Sequence, residues 1–159
     1  MENAARLILD SSLGAELTDE EAAALASLME MRNLDDGEYL TSEGATDDSL
    51  HVLLEGKLEV VKQAGAGETA TLGILRDGEL AGELSFIGGA PHTVGLRALC
   101  DSRVFSLKRD AFEGLVDAHP GIVYKVMRAI VRSAHKTLSR MNYEFIELSN
   151  YIFKQHGRY

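Results

Sequence analysis

The chain has 159 residues, 45% apolar and 26% charged, which suits one folded domain with a core of its own and excludes a disordered chain or a disulfide scaffold. Its net charge of -9, from 16 Lys and Arg against 25 Asp and Glu, has the wrong sign for a surface that neutralises phosphates along DNA, so direct nucleic-acid binding is not expected. The start "MENAARLILDSSLGAEL" has no basic run before an apolar core, and no apolar stretch approaches the ~20 residues that span a bilayer, so the expectation is a cytoplasmic protein without a membrane segment.

In chain order, "LTDEEAAALASLMEMR" opens with Thr18 and carries Glu21 three residues later, a capping box followed by strong helix formers; it predicts a helix over 18–31. The texture then changes. Eleven of the 15 glycines fall between Gly37 and Gly95, separating short stretches of alternating apolar and polar residues, the pattern of many short antiparallel strands over 37–108. "LHVLLEGKLEVV" reads as a hairpin, with Leu50, Val52 and Leu54 on one face, a turn at Glu55–Gly56, and Leu58 and Val60 returning. "TATLGIL", "TVGLRAL" and "RVFSLK" follow as strands. Cys100, alone and without metal-ligand spacing, reads as a small buried hydrophobe.

From 109 to 154 the period becomes helical, briefly in "RDAFEGLVDAH" and then in a long run after Pro120, a residue tolerated at a helix start. Met127, Ile130, Ala134, Leu138, Met141, Phe145, Leu148 and Ile152 recur at steps of three and four, with one longer interval after Ala134. The first half of such a helix can pack on the strands. The second half outruns a domain of this size, and its stripe of Leu138, Met141, Phe145, Leu148 and Ile152 predicts a parallel homodimer. The fold expected is mainly β: a jelly-roll-like antiparallel β-roll with an N-terminal helix and a long C-terminal helix, one domain over 1–159.

The chemistry concentrates in "GELSFIGGAPHT", where Gly82–Glu83–Leu84–Ser85 is followed by Pro91–His92–Thr93. A glycine lets the backbone approach a ligand, a short helical turn presents free amides, and a carboxylate accepts from a hydroxyl. The remaining histidines, His51, His119, His135 and His156, are scattered, with no His-x-His and carboxylate on facing strands, so neither a metal site nor a catalytic set is expected.

The order of these parts, with "DDGEYLTSEGATDDSLHVLLEGKLEVV", resembles the cyclic nucleotide-binding domain family over roughly residues 18–140, nearly the whole chain. The resemblance implies a phosphate-binding cassette of the form Gly-Glu-Leu-(Ser/Ala), then Pro-Arg-(Ser/Ala/Thr). Gly82, Glu83, Leu84, Ser85, Pro91 and Thr93 match it, Glu83 standing as the reader of the ribose hydroxyl. His92 stands where the arginine belongs. Arginine is a permanent cation with a planar fork, whereas imidazole, with a free pKa of ~6.5, gives one donor at a time, at a cost of about 10- to 100-fold in affinity. Arg97 is no substitute, because it lies on the strand face opposite Val94, Leu96 and Ala98 and so points to solvent. By the same resemblance, Ser133 and Thr137 on the long helix stand as candidates to cap the base.

The implied function is a regulatory sensor, not an enzyme. It binds cyclic AMP or cyclic GMP weakly, or a related small phosphate-bearing ligand, needs no other cofactor, and passes a signal through a dimer helix to an unknown downstream protein. Two alternatives stand beside it: a degenerate fold that acts as a dimeric scaffold without nucleotide, and the sensor domain of a longer transcription regulator.

Overall fold

The computed structural model describes residues 3–156, so the outermost positions of the expected 1–159 domain lie outside the described residues. Two N-terminal pieces that the sequence pattern did not reveal come first: helix α1 (Ala4–Leu9) and a single 3-10 turn at Ser12–Gly14. Helix α2 (Asp19–Ala26) begins with the expected capping box: Glu21 N–H donates to Thr18 Oγ1 at 3.2 Å, and Thr18 N–H donates to Glu21 Oε1 at 3.0 Å. It stops five residues short of expectation. Glu30–Leu34 instead forms strand β1, laddered antiparallel to Ser102–Ser106. Those inter-strand bonds outweigh the helix propensity of Leu-Met-Glu-Met-Arg.

The remaining strands are β2 (Tyr39–Thr41), β3 (Ser49–Glu55), β4 (Leu58–Gln63), β5 (Thr69–Leu75), β6 (Leu80–Ala81), β7 (Gly95–Ala98) and β8 (Ser102–Lys108). They form two four-stranded antiparallel sheets, ordered β1-β8-β3-β6 and β2-β7-β4-β5. The expected hairpin of β3 and β4 is therefore corrected: these strands follow one another in sequence but belong to different sheets. The crossing is made at Gly56, whose φ of +119° lets the chain pass against Ser102. The true hairpin is β4 with β5.

Two cores follow from this arrangement. Leu53 and Leu58 meet Leu34, Leu96 and Val104 between the sheets. Leu50 and Val52, on the other face of β3, meet Phe86, Phe105, Phe112 and the helices. Helices α3 (Glu83–Gly88), α4 (Arg109–Glu113) and α5 (Leu115–Ala118) are short, and α6 (Pro120–His156) runs for 37 residues. Its buried residues are Ile122, Val126, Ala129 and Ile130. Met127 is only partly buried and Ala134 is exposed, so the stripe read from the sequence leaves the roll after Ile130. From Leu138 onward the apolar side chains of α6 stand in the open. Among the described residues no helix is long and apolar enough to cross a membrane. Cys100 corrects a second expectation: it is exposed, because it sits in the turn between β7 and β8.

The crossing at Gly56 gives a test of this architecture. A Cβ there would collide with Ser102, so Gly56→Ala is expected to cost roughly 2 to 5 kcal/mol through left-handed strain plus overpacking. At Gly65, φ is +84° and nothing lies within 4 Å of an added Cβ, so Gly65→Ala should cost only about 1 to 2 kcal/mol. Urea melts of the two variants check the difference.

Candidate functional site

Gly82 ends β6 and begins α3 with φ +78°, in the left-handed region. A Cβ here would approach Ser49 O to 3.0 Å and lie within 4 Å of both the His51 and His92 rings. A larger residue would push these groups apart, so the close approach itself requires glycine. Phe86, fully buried with its ring centroid 5.1 Å from that of Phe112, anchors α3 to the helical core. Leu84, on the other side of α3, is 71% exposed.

Glu83 does not dangle. Ser133 on α6 donates to its Oε1 at 2.6 Å, so the roll and the long helix are joined through the cassette carboxylate. Ser133, expected to face a base, is instead the partner of Glu83. Ser85 Oγ donates to Ala90 O at 2.6 Å and lies 3.1 Å from His92 Nδ1. A hydroxyl has one proton, so Nδ1–H of His92 is the donor in the second bond. His92 Nε2 is then left buried without a hydrogen-bond partner, as is Thr41 Oγ1. The His92 backbone is clamped: its N–H donates to Ala45 O at 2.9 Å, and its carbonyl accepts from Gly44 N–H at 2.8 Å.

A cavity of about 450 Å³ gathers these groups under α6. Gly82, Glu83, Leu84, Ser85, His92 and Thr93 line one side, with Thr137, Arg140, Met141 and Glu144 of α6 facing them. All seven cassette residues named from the sequence, Pro91 included, and one of the two helix candidates thus share one space. Met141, assigned above to the dimer stripe, also lines it. Thr41, Arg140 and Glu144 were missed. For Arg140 there was a signal, the four-residue recurrence of Arg128, Arg132 and Lys136 before it; for Thr41 there was none. Arg97, expected to point to solvent, does not line the cavity; its side chain is 37% exposed, pairs with Glu59 at 2.7 Å and lies over Tyr39 at 5.9 Å. The bonds from Thr71 and Arg97 hold the Glu59 carboxyl below the usual carboxylate range.

The family model described as "Cyclic nucleotide-binding domain" matches residues 31–119, which is more than half of the sequence. The chain belongs to the cyclic nucleotide-binding domain family. A cyclic nucleotide-binding domain from Methylobacillus flagellatus superposes with a TM-score of 0.80 at 24% identity, covering 92% of this chain and 82% of that one. The N-terminal domain of a transcriptional regulator from Streptomyces coelicolor superposes at 0.72 with 29% identity, over 85% of this chain and 94% of that one. In sequence, the CRP-like cAMP-activated global transcriptional regulator of Mycobacterium tuberculosis is 26% identical over 115 residues, 72% of this chain. The chain spans 51% of that regulator's length. As in its relatives by fold, the antiparallel roll of this cyclic nucleotide-binding domain is flanked by helices, the last of them long.

Behind the cassette, buried His51 joins Asp47 Oδ2 through Nε2 at 2.8 Å and Ser106 Oγ through Nδ1 at 2.7 Å. The bond from His51, opposed in part by burial, lowers the Asp47 carboxyl below its ordinary value. A carboxyl lowered on folding adds stability above its unfolded pKa of ~3.9, and that stability is lost as pH falls through the folded value. Asp47→Asn should therefore lower Tm at pH 7 and make the fall of Tm between pH 5 and 3 shallower. Thermal melts followed by circular dichroism check both; an unchanged slope would show that Asp47 carries no such linkage.

Proposed function

We propose that this chain is a regulatory sensor module that binds a cyclic nucleotide, or a related small phosphate-bearing ligand, and signals to a downstream protein through a homodimer made by the second half of α6. The observation that carries the reading is the single cavity in which the cassette residues face Thr137 of the long helix. In this reading the phosphate meets the first amides of α3, which have no intrahelical partners. Glu83 accepts the ribose hydroxyl. A carboxylate has two oxygens, so Glu83 can keep Ser133 on one and take the ribose on the other. Ligand then bridges roll and helix. The likeness to half of a regulator named as cAMP-activated supports a role as the sensor part of a transcription regulator, with cyclic AMP or cyclic GMP as ligand.

One observation favours the scaffold alternative. In the neutral His92 ring the one N–H is given to Ser85, which leaves no donor for a phosphate. A bound phosphate favours the protonated ring, so binding takes up a proton and should tighten as pH falls from about 8 to 6. Calorimetric titration with cyclic AMP and cyclic GMP across that range tests it. His92→Arg should tighten binding by roughly 10- to 100-fold and flatten the pH dependence, whereas His51→Gln, which alters the other ring beside Gly82, should keep the dependence. A His92→Arg protein that binds neither nucleotide makes the chain a dimeric scaffold.

The dimer has its own test. Leu138, Met141, Phe145, Leu148 and Ile152 are 46 to 69% exposed and alternate steps of three and four, the spacing of a coiled-coil seam. Burying each contributes roughly 1.5 to 3 kcal/mol. Phe145→Glu would set an unpaired carboxylate in the seam and should give folded monomers, since the roll keeps its own cores. Sedimentation velocity at tens of micromolar reads the outcome; an unmodified protein that sediments as a monomer sinks the dimer.

A further inference from the structure

Arg128, Arg132, Lys136 and Arg140 recur at four-residue steps along α6 and share one face of it. Three of the four are taken. Arg128 and Arg132 pair with Glu16 at 2.8 and 2.7 Å, and Lys136 pairs with Glu79 at 3.6 Å. Arg140 has no ion pair or hydrogen bond among the described residues. Its guanidinium nitrogens lie 3.6 Å from where a Cβ of Gly73 would be, in space that glycine leaves open on β5. Among the described residues that line the cavity, it is the one permanent cation. Thr41, 6% exposed and with its hydroxyl unpartnered, lines the same cavity, a second sign that the space is built for a polar guest.

The position of Arg140 argues against a role on the phosphate. Gly73 is opposite Val60, which is opposite Leu96, so the guanidinium stands two strand spacings, ~10 Å, from the strand that follows His92 and Thr93. Along α6, Arg140 comes two turns after Ser133, the residue that holds Glu83, or about 10 Å. Helical side chains lean back toward the N-terminus, which brings the guanidinium to about the level of Thr137. A nucleotide whose phosphate and ribose lie on the cassette extends its base to that level.

We propose that Arg140 reads the base and selects guanine, so that the ligand of this site is cyclic GMP in preference to cyclic AMP. The proposal rests on the cyclic-nucleotide reading above. Guanine offers O6 and N7, two adjacent acceptors that match the guanidinium fork. Adenine offers N7 beside an amino group whose N–H points at the cation. Glu144, one turn beyond Arg140 and lining the same cavity, complements the N–H donors on guanine's neighbouring edge. Val60, Leu72 and Met141 supply the apolar lining for the rings.

Calorimetric titration of the unmodified protein, Arg140→Gln and Arg128→Gln with cyclic GMP and cyclic AMP tests the assignment. The unmodified protein should prefer cyclic GMP by roughly 5- to 150-fold. Arg140→Gln should lose that factor for cyclic GMP and show no loss for cyclic AMP, whose N6–H and N7 a glutamine amide can match. Arg128→Gln, on the same face but paired with Glu16, should keep the preference. Equal affinities, a preference for cyclic AMP, or an equal loss for both nucleotides in Arg140→Gln would overturn the base assignment and leave the sensor reading standing. If neither the unmodified protein nor His92→Arg binds either nucleotide, the sensor reading falls, and the base assignment with it.

Discussion

Gly82 bears three constraints at once: a left-handed backbone, a carbonyl of β3 at 3.0 Å from its missing Cβ, and a histidine ring on each of two sides. Every later feature of the cavity inherits its position from that turn. Because β6 is only two residues long and is held by β3, the chain can leave the sheet abruptly at Gly82. It enters a six-residue helix whose first residue, Glu83, reaches α6 and whose third, Ser85, points back at His92. His51 holds the floor under this turn through Asp47 and Ser106, which explains a buried polar ring on the inner face of an otherwise apolar strand.

The electrostatics follow from an acidic chain in which most cations near the site are already engaged. Lys62 reaches the Thr93 carbonyl but also bonds Glu43, and Arg97 is held by Glu59. The bonds from Lys62 and from Gln63 N–H hold Glu43 below the usual carboxylate range, as those from Arg128 and Arg132 do for Glu16. These pairs are exposed, and each adds little to stability. Their larger effect is to fix where positive charge is available. A cassette with histidine in place of arginine therefore sits in a region where most neighbouring cations have a carboxylate of their own. Arg140, resting over a glycine, is the exception.

The sequence made the order of elements legible because the signals were local: a capping box at Thr18 and Glu21, glycines between alternating runs, and a proline ahead of a long helical period. It misled where tertiary contacts decide. Residues 30–34 carry helix-forming side chains, yet pairing with β8 draws them into a strand. Glu55–Gly56 looks like a hairpin turn, but turn chemistry does not say which sheet the next strand joins. The cassette was legible because its residues are close in sequence. Ser133 was named for a base, and spacing along a helix does not reveal that its hydroxyl meets Glu83. Thr41 lies forty-one residues from Gly82 in sequence and carries no motif, so only the fold brings it to the cavity.

The same helix forms the wall of the cavity and the proposed seam, and its geometry makes the two dependent. At ~100° per residue, the cavity residues Thr137, Arg140, Met141 and Glu144 centre roughly 70° around α6 from the stripe of Leu138, Met141, Phe145, Leu148 and Ile152. Met141 belongs to both sets, lining the cavity while its side chain is still 56% exposed. Beyond Ile130 the helix is not buried on the roll, so it is held there chiefly by Arg132 on Glu16, Ser133 on Glu83 and Lys136 on Glu79. A ligand that fills the cavity adds contacts to a segment that otherwise has few. Any rotation or straightening of α6 that improves those contacts also re-aims the stripe, because a helix turns as one body. Under the proposed sensor reading, occupancy of the cavity and geometry of the seam would be two readings of a single variable, the setting of α6 beyond Ile130.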